Sequence, residues 1–142
     1  MFGYWRDATR FITTLPTATT EAPANIAWQR FFADEYRMNA AIADYEKPIV
    51  AFMQGFVMGG GVGVGGHAGH RVVGDTTQVA MPESGIGLIP DVGGTWLLAR
   101  APGRIGEYLA LTGARMGAGD AIHAGFADIY LPEAEWDAAK EM

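Results

Sequence analysis

Two carboxylates, Glu83 and Asp91, are the residues whose surroundings in the sequence most suggest chemistry. They lie in the run MPESGIGLIPDVGG, where each directly follows a proline. Between Asp75 and Arg100 they are the only charged residues, so that stretch offers neither of them a cationic partner. An unpaired carboxylate is costly to bury, and its pKa rises toward that of a working acid or base. The alternative, that both lie on exposed turns and cap backbone amides, stays open at this point.

A glycine triplet, Gly59-Gly60-Gly61, is the second candidate. It follows an apolar run that predicts a strand and precedes a predicted short helix. Backbone amides at a helix N-terminus attract negative charge, and glycine lets a ligand approach them closely. Such a turn can bind a phosphate, or the oxyanion of a thioester under attack. A tight turn that needs a positive φ explains the same residues equally well.

Three other patterns carry less weight. Residues 61–66 match the dinucleotide pattern G-x-G-x-x-G, but a single match in so glycine-rich a stretch is a weak signal. His67 and His70 have no carboxylate at a spacing typical of zinc sites, so we expect no metal there. Glu35 lies among other charged residues, and the pattern alone places it on a solvated helix face.

The elements that would position these residues alternate between strands and helices, which predicts an α/β fold. The apolar run 49–53 reads as a strand buried on both faces of a parallel sheet. A long helix is expected before it, from Ile26, with Asn25 as its N-cap, to about Tyr45. The other predicted strands are 71–74, 77–81 and 126–131, and the other predicted helices are 60–68, 95–101, 104–113, 117–124 and a last one from residue 133.

Composition excludes several classes of protein. The 142 residues include 10 basic and 16 acidic side chains, and a formal charge of −6 argues against a nucleic-acid partner. The absence of cysteine excludes disulfides and thiol nucleophiles. Residues 48–70 are uncharged and long enough to span a membrane, but seven of residues 49–66 are glycine. Each glycine costs a helix about 1 kcal/mol relative to alanine, so we expect no membrane span.

Two longer runs resemble a known superfamily. The segments KPIVAFMQGFVMGGGVGVGGHAGHRVV and VAMPESGIGLIPDVGGTWLLARAPGRIGEYLALTGARM resemble the crotonase (enoyl-CoA hydratase/isomerase) superfamily, and within it the 3-hydroxyisobutyryl-CoA hydrolase family most. The resemblance runs from about Ile26 to Leu131. It implies an α/β, crotonase-like (ClpP/crotonase) spiral of β-β-α units, incomplete at both ends. We therefore expect an irregular segment over residues 1–25 and a partial crotonase-like domain over residues 26–142.

The resemblance also implies roles for four residues. Gly60 resembles the oxyanion-hole glycine whose amide binds the thioester carbonyl, and Glu83 resembles the family's catalytic glutamate. Asp91 resembles the aspartate that marks the hydrolases, and Glu35 aligns with a glutamate that contacts their substrate. The implied substrate is an acyl-CoA, which brings coenzyme A with it, so neither a metal nor a separate cofactor is expected.

Two departures from the hydratase pattern favour hydrolysis. Hydratases carry a second catalytic glutamate two residues after the glycine triplet, and this sequence has Gly63 at that position. They also have a small residue at the position of Asp91. Hydration of a double bond needs acid and base work over two carbons, whereas thioester hydrolysis needs one activating carboxylate and an oxyanion hole. The resemblance thus implies hydrolysis of a short β-hydroxyacyl-CoA in valine breakdown, in the cytoplasm or, in a eukaryote, the mitochondrial matrix.

Two rival hypotheses stay open, an enoyl-CoA hydratase or isomerase and an inactive crotonase-like binding remnant. The family's second oxyanion amide comes from an upstream segment, often AGGD, that nothing in residues 1–24 resembles. Loss of one oxyanion donor costs on the order of 10²–10³ in rate in other enzymes. We therefore expect the chain alone to be weakly stable or inactive unless a partner chain completes it, and a homo-oligomer stays an open expectation.

Overall fold

A computed structural model describes residues 22–141, with side chains from residue 27 onward. Helix α1 runs over Ala22–Ala43 and so begins four residues before the predicted start at Ile26. Pro23 is compatible with the first turn, because the N–H groups there have no intrahelical acceptor. Of the predicted irregular segment, residues 1–21 lie outside the described residues and 22–25 are helical. The proposed domain division at residue 25 stays a prediction.

The chain divides into two compact units, residues 1–34 and residues 35–142. In the described part of the first unit, the rings of Trp28 and Phe32 stack with their centroids 5.9 Å apart, and Phe31 meets Phe32 edge-on at 5.5 Å. Trp28 and Phe32 are one helical turn apart and therefore lie on the same face of α1. All the residues predicted for the site belong to the second unit.

Five short strands form two parallel sheets in the second unit. The first sheet has the order β1-β3-β5 and the second pairs β2 with β4. The strands are β1 (Val50–Met53), β2 (Phe56–Met58), β3 (His70–Val73), β4 (Gln78–Ala80) and β5 (Ile129–Tyr130). Two strands in succession are followed by a helix, and the next two strands pair with the first two in the same order. The repeated β-β-α unit of the crotonase-like spiral is therefore present.

The remaining helices are short and connect or follow these strands. They are α2 (Gly60–Gly65), α3 (Gly94–Leu98), α4 (Ile105–Thr112), α5 (Ala118–His123) and α6 (Trp136–Lys140), with single 3₁₀ turns at Glu83–Ile86 and Glu133–Glu135. Every helix predicted after the first is found, and the α/β class is confirmed. No helix among residues 22–141 combines the length and apolarity that crossing a bilayer requires.

Two strand predictions need correction. Strand β2 was not predicted, because only three residues separate Gly55 from Gly59 and so short a run carries no periodicity. Strand β1 is not buried on both faces, since Val50 is 50% exposed while Met53 is 1% exposed. Its parallel pairing with β3 is confirmed, with Met53 opposite Val73.

The core lies where the two sheets meet α2 and α5. Its fully buried side chains include Met53, Val62, Val73, Val79, Met81 and Phe126. The buried hydroxyl of Thr77 donates a hydrogen bond to the Met53 carbonyl at 2.5 Å and accepts one from the Gly74 amide at 2.8 Å. At the edge of the first sheet, Arg71 forms a two-pronged ion pair with Asp128, at 2.9 and 2.5 Å. These contacts hold the strands of the first sheet together.

Candidate active site

The site is built where α1 crosses α2 at two glycines. A Cβ atom on Gly60 would lie 2.8 Å from Glu35 Oε1, and one on Gly63 would lie 2.9 Å from Asn39 Oδ1. Glu35 and Asn39 are one turn apart on α1, and Gly60 and Gly63 are nearly one turn apart on α2. Glu35 therefore packs against Gly60, and Asn39 packs against Gly63. Because the glycines have no side chains, two polar side chains pack against the backbone of α2.

Glu35 is buried, and this overturns the solvated face that the pattern alone indicated. The side chain is 7% exposed. Burial raises the pKa of Glu35, and the negative charge of Asp91 raises it further. The placement against Gly60 agrees with the interpretation drawn from the family resemblance, in which Glu35 lies at the substrate.

Glu83 opens the 3₁₀ turn that follows β4, and it is 6% exposed. Its Oε2 has no hydrogen-bond partner within the described residues. Removal of the carboxyl group from water raises the pKa of Glu83, and the charges of Asp91 and Glu35 add to this, while a hydrogen bond with the backbone opposes it. The alternative of an exposed capping turn is therefore wrong for Glu83. A buried carboxyl with a free oxygen is suited to accepting a proton or attacking a carbonyl.

Asp91 is only partly buried and completes a group of three carboxylates with Glu35 and Glu83. It is close enough for its charge to raise the pKa of both. The hydroxyl of Tyr36 donates a hydrogen bond to Asp91 Oδ2 at 2.8 Å. Burial, this hydrogen bond and the charges of Asp91 and Glu35 raise the pKa of Tyr36 to about 12. Sequence reasoning did not single out Tyr36, although its place beside Glu35 on α1 was the available signal.

The backbone after Asp91 takes an unusual conformation. Val92 has a φ of +46°, and it is the one residue other than glycine with a positive φ among residues 22–141. Gly93 follows with a φ of +77°, and the Gly94 amide donates to the Asp91 carbonyl at 2.6 Å. His67 Nε2 lies 2.7 Å from the Val92 carbonyl oxygen. This turn directly follows Asp91, the carboxylate whose charge acts on Glu35 and Glu83.

The glycine triplet forms the tight turn that the sequence left open, while its use as an oxyanion or phosphate site stays a prediction. Gly59 has a φ of +49°, so the tight turn is real, and Gly60 is the first residue of α2. An N–H at that position has no intrahelical acceptor and is free for a ligand. The G-x-G-x-x-G match over residues 61–66 lies within α2 and its last residue follows the helix. A dinucleotide-binding motif instead occupies the turn between a strand and the start of a helix.

His67 and His70 do not share a helix face, because α2 ends at Gly65 and His70 begins β3. The described residues hold no group of three or more side chains of the kinds that bind metals. A groove of about 760 Å³ lies behind the turn at Val92 and is lined in part by Tyr36 and His67, but not by Glu83 or Asp91.

Comparison with known proteins places this geometry in a family. The family described as enoyl-CoA hydratase/isomerase matches residues 12–142. The chain is 52% identical over 103 residues to a mitochondrial 3-hydroxyisobutyryl-CoA hydrolase from Xenopus tropicalis, covering 72% of this chain and 27% of that protein. The chain thus spans about a quarter of the length of the curated relatives it matches.

Solved structures share the fold. An enoyl-CoA hydratase from Rhodobacter sphaeroides 2.4.1 is 63% identical with a TM-score of 0.82, over 84% of this chain and 35% of that one. A carnitinyl-CoA dehydratase from Mycobacterium thermoresistibile is 59% identical with a TM-score of 0.77, over 80% and 33% of the two chains. The predicted crotonase-like fold is confirmed, and the chain belongs to the enoyl-CoA hydratase/isomerase family.

Proposed function

We propose that the site around Glu83 hydrolyses an acyl-CoA thioester, as a 3-hydroxyisobutyryl-CoA hydrolase does. The names of the similar proteins divide between hydrolase and hydratase, so the residues must decide between the two reactions. The observation that carries the proposal is the Glu83 carboxyl group, which is buried, has a free Oε2 and lies beside two further carboxylates. One activating carboxylate is what thioester hydrolysis requires.

The chemistry assigns one task to each group. The N–H of Gly60 donates to the thioester carbonyl oxygen and stabilises the negative charge that forms there. Glu83 either takes a proton from water, which attacks the carbonyl carbon, or attacks that carbon itself and forms an anhydride that water then cleaves. Both routes break the carbon–sulfur bond, consume one water and release a carboxylic acid and the free thiol of coenzyme A.

The surroundings of Gly63 argue against hydration. The resemblance places the second glutamate of the hydratases at this position. A Cβ atom there would lie 2.8 Å from the Cβ of Val92, 2.9 Å from Asn39 Oδ1 and 3.0 Å from Asn39 Nδ2. Val92 is 2% exposed and Asn39 is 4% exposed, so a side chain at position 63 would have to displace two buried neighbours. The place of the first side-chain atom of a second glutamate is occupied.

The remaining two carboxylates fit a hydroxylated acyl group. Glu35 packs against Gly60, where the carbonyl would bind, and Asp91 lies near Glu35 and Glu83. We propose that they orient the attacking water and the β-hydroxyl group of the substrate. A short β-hydroxyacyl-CoA of valine breakdown is therefore the proposed substrate, with coenzyme A entering as part of it. The relatives described as mitochondrial support the mitochondrial matrix as the location if the source is a eukaryote.

The test is release of free coenzyme A from 3-hydroxyisobutyryl-CoA by the chain and by Glu83→Gln. Glutamine keeps the shape of the side chain but neither takes up the proton nor attacks the carbonyl, so we expect turnover to disappear while binding of coenzyme A persists. Glu46→Gln is the matched control, because Glu46 is exposed and outside the site. Turnover that survives Glu83→Gln would refute the assigned role.

Isotope labelling tests the nucleophilic route open to Glu83. In a single turnover in ¹⁸O-labelled water, a nucleophilic Glu83 acquires the label in its own carboxyl group when water cleaves the anhydride at the glutamyl carbonyl. A general base never labels Glu83 and puts the label directly into the released acid, so label found in Glu83 identifies the nucleophile.

A further inference from the structure

The turn at Asp91 and Val92 needs an external restraint. A β-branched residue such as Val92 rarely adopts a positive φ, and here φ is +46°. A backbone in such a region persists only where the surrounding structure holds it. The Val92 side chain is fully buried and meets the position of a Cβ on Gly63, so it anchors one side of the turn.

His67 restrains the other side of the turn. Its Nε2 lies 2.7 Å from the Val92 carbonyl oxygen. A carbonyl only accepts hydrogen bonds, so Nε2 carries the proton and donates it. The ring also fills the space beside Gly93, since a Cβ there would lie 2.5 Å from the same Nε2. The imidazole and the turn are therefore fitted to each other through both a hydrogen bond and close packing.

The direction of the Asp91 side chain depends on this turn. Asp91 faces Tyr36 and Glu35 from α1 and Glu83 from the 3₁₀ turn. Loss of the hydrogen bond would let the positive φ of Val92 relax, and a change in that φ rotates the peptide that joins Val92 to Asp91. The hydrogen bond of His67 is to a backbone carbonyl, so its influence on the site passes through the backbone.

We propose that His67 is a positioning residue, which holds the Val92 carbonyl and thereby keeps the Asp91 carboxylate beside Glu83 and Glu35. As a statement about catalysis this rests on the proposed function. As a statement about geometry it stands apart from turnover, because the charge of Asp91 acts on Glu83, and a change in their separation can be followed through the titration of Glu83.

The test compares His67→Gln with His67→Asn. Both variants carry the same amide, but that of glutamine reaches the position of Nε2, whereas that of asparagine is one methylene shorter. His123→Gln is the control, because His123 is exposed at the end of α5. The first readout is the carboxyl ¹³C titration of Glu83, which needs no turnover. In H67N, we expect Asp91 to move away and the pKa of Glu83 to fall by the part that the Asp91 charge contributes, while burial still holds it above its ordinary value. In H67Q, the pKa of Glu83 should match that of the unaltered chain.

The second readout is coenzyme A release from 3-hydroxyisobutyryl-CoA. We expect kcat to fall in H67N by about 10²-fold, the scale on which a 1 Å misplacement acts in other enzymes, with KM little changed and with recovery in H67Q. In the unaltered chain, the ¹⁵N shifts of His67 should identify Nε2 as the protonated nitrogen.

Two results would overturn the proposal whatever the turnover. One is a Glu83 titration in H67N that matches the unaltered chain, and the other is an unprotonated Nε2 in His67. An absence of turnover in every form, together with a shifted Glu83 titration in H67N alone, would instead refute the proposed function and leave the positioning role intact.

Discussion

Substitution of Gly63 by alanine tests the packing on which the proposed distinction from a hydratase site rests. Alanine in a helix interior is normally more stable than glycine by about 1 kcal/mol. At Gly63 the added Cβ would lie 2.8 Å from the Cβ of Val92 and 2.9 Å from Asn39 Oδ1. Overpacking of a filled core costs about 1–3 kcal/mol, and the upper half of that range applies because Val92 is stiff and buried. We expect a net loss of about 1–2 kcal/mol.

The assay is urea unfolding followed by circular dichroism, with Gly119→Ala as the control. Gly119 lies in α5, and a Cβ added there would meet nothing within 4 Å. The control should therefore gain roughly 0.5–1 kcal/mol from helix propensity alone. The two Gly→Ala variants are expected to move in opposite directions.

A second substitution identifies the group that the new methyl meets. Asn39→Ala removes the amide that lies 2.9–3.0 Å from the added Cβ. The double variant should lose less unfolding free energy than the two single variants lose together. The difference, which is the coupling between the two positions, should be about 0.5–3 kcal/mol, as for other residues in contact. A G63A chain that gains as much stability as G119A would refute the claim that this position is full.

Three further substitutions probe the charges. Tyr36→Phe removes the 2.8 Å hydrogen bond to Asp91, so the free energy of unfolding should fall by about 0.5–1.5 kcal/mol and the tyrosine that ionises near pH 12 should vanish from the alkaline absorbance titration. Arg71→Lys keeps the charge but loses the two-pronged pair with Asp128, and urea unfolding should show a loss of about 1.5–3 kcal/mol. The ion pair lowers the pKa of Asp128, so the stability that it contributes is present above the ordinary pKa of 3.8 and disappears as pH falls through the lowered pKa. A loss of unfolding free energy in R71K that persists unchanged in strong acid would contradict this. The free energy of unfolding of Glu83→Gln should equal that of the unaltered chain below pH 4.5 and exceed it by roughly 1–3 kcal/mol at pH 7. The reason is that a pKa raised in the folded chain makes the stability of the unaltered chain fall as pH rises through that pKa. Equal free energies of unfolding at both pH values would contradict the burial of a charge at Glu83.

The carboxylates could be predicted from sequence because their signal is local. Glu83 and Asp91 stand in a stretch without cations, and that absence is visible without a structure. Glu35 could not be found in this way, because its burial depends on two glycines of a helix that begins 25 residues later. A polar residue on a charged helix looks solvated until the partner helix is known. The family resemblance, and not the pattern, selected it.

The supporting residues left even less trace in the sequence. The hydrogen bond of His67 goes to a backbone carbonyl, and every residue type has one, so the sequence does not reveal the partner. The positive φ of Val92 is equally hidden, because a β-branched residue rarely adopts it. Strand β2 is three residues long and depends on its pairing with β4, a contact between distant parts of the chain. Alternation of elements thus predicted the fold class, while single tertiary contacts determined how the site is held.

The measurement that tests the central claim most directly follows two reactions of the purified chain in parallel. One is coenzyme A release from 3-hydroxyisobutyryl-CoA, and the other is the loss of absorbance as crotonyl-CoA is hydrated. Glu83→Gln supplies the baseline, so that slow turnover is detected as a difference. The account predicts coenzyme A release that depends on Glu83 and is slow, because nothing in residues 1–24 resembles the segment that supplies the family's second oxyanion amide, and it predicts no hydration of crotonyl-CoA. Hydration of crotonyl-CoA by the chain, or coenzyme A release equal to that of E83Q, would contradict it.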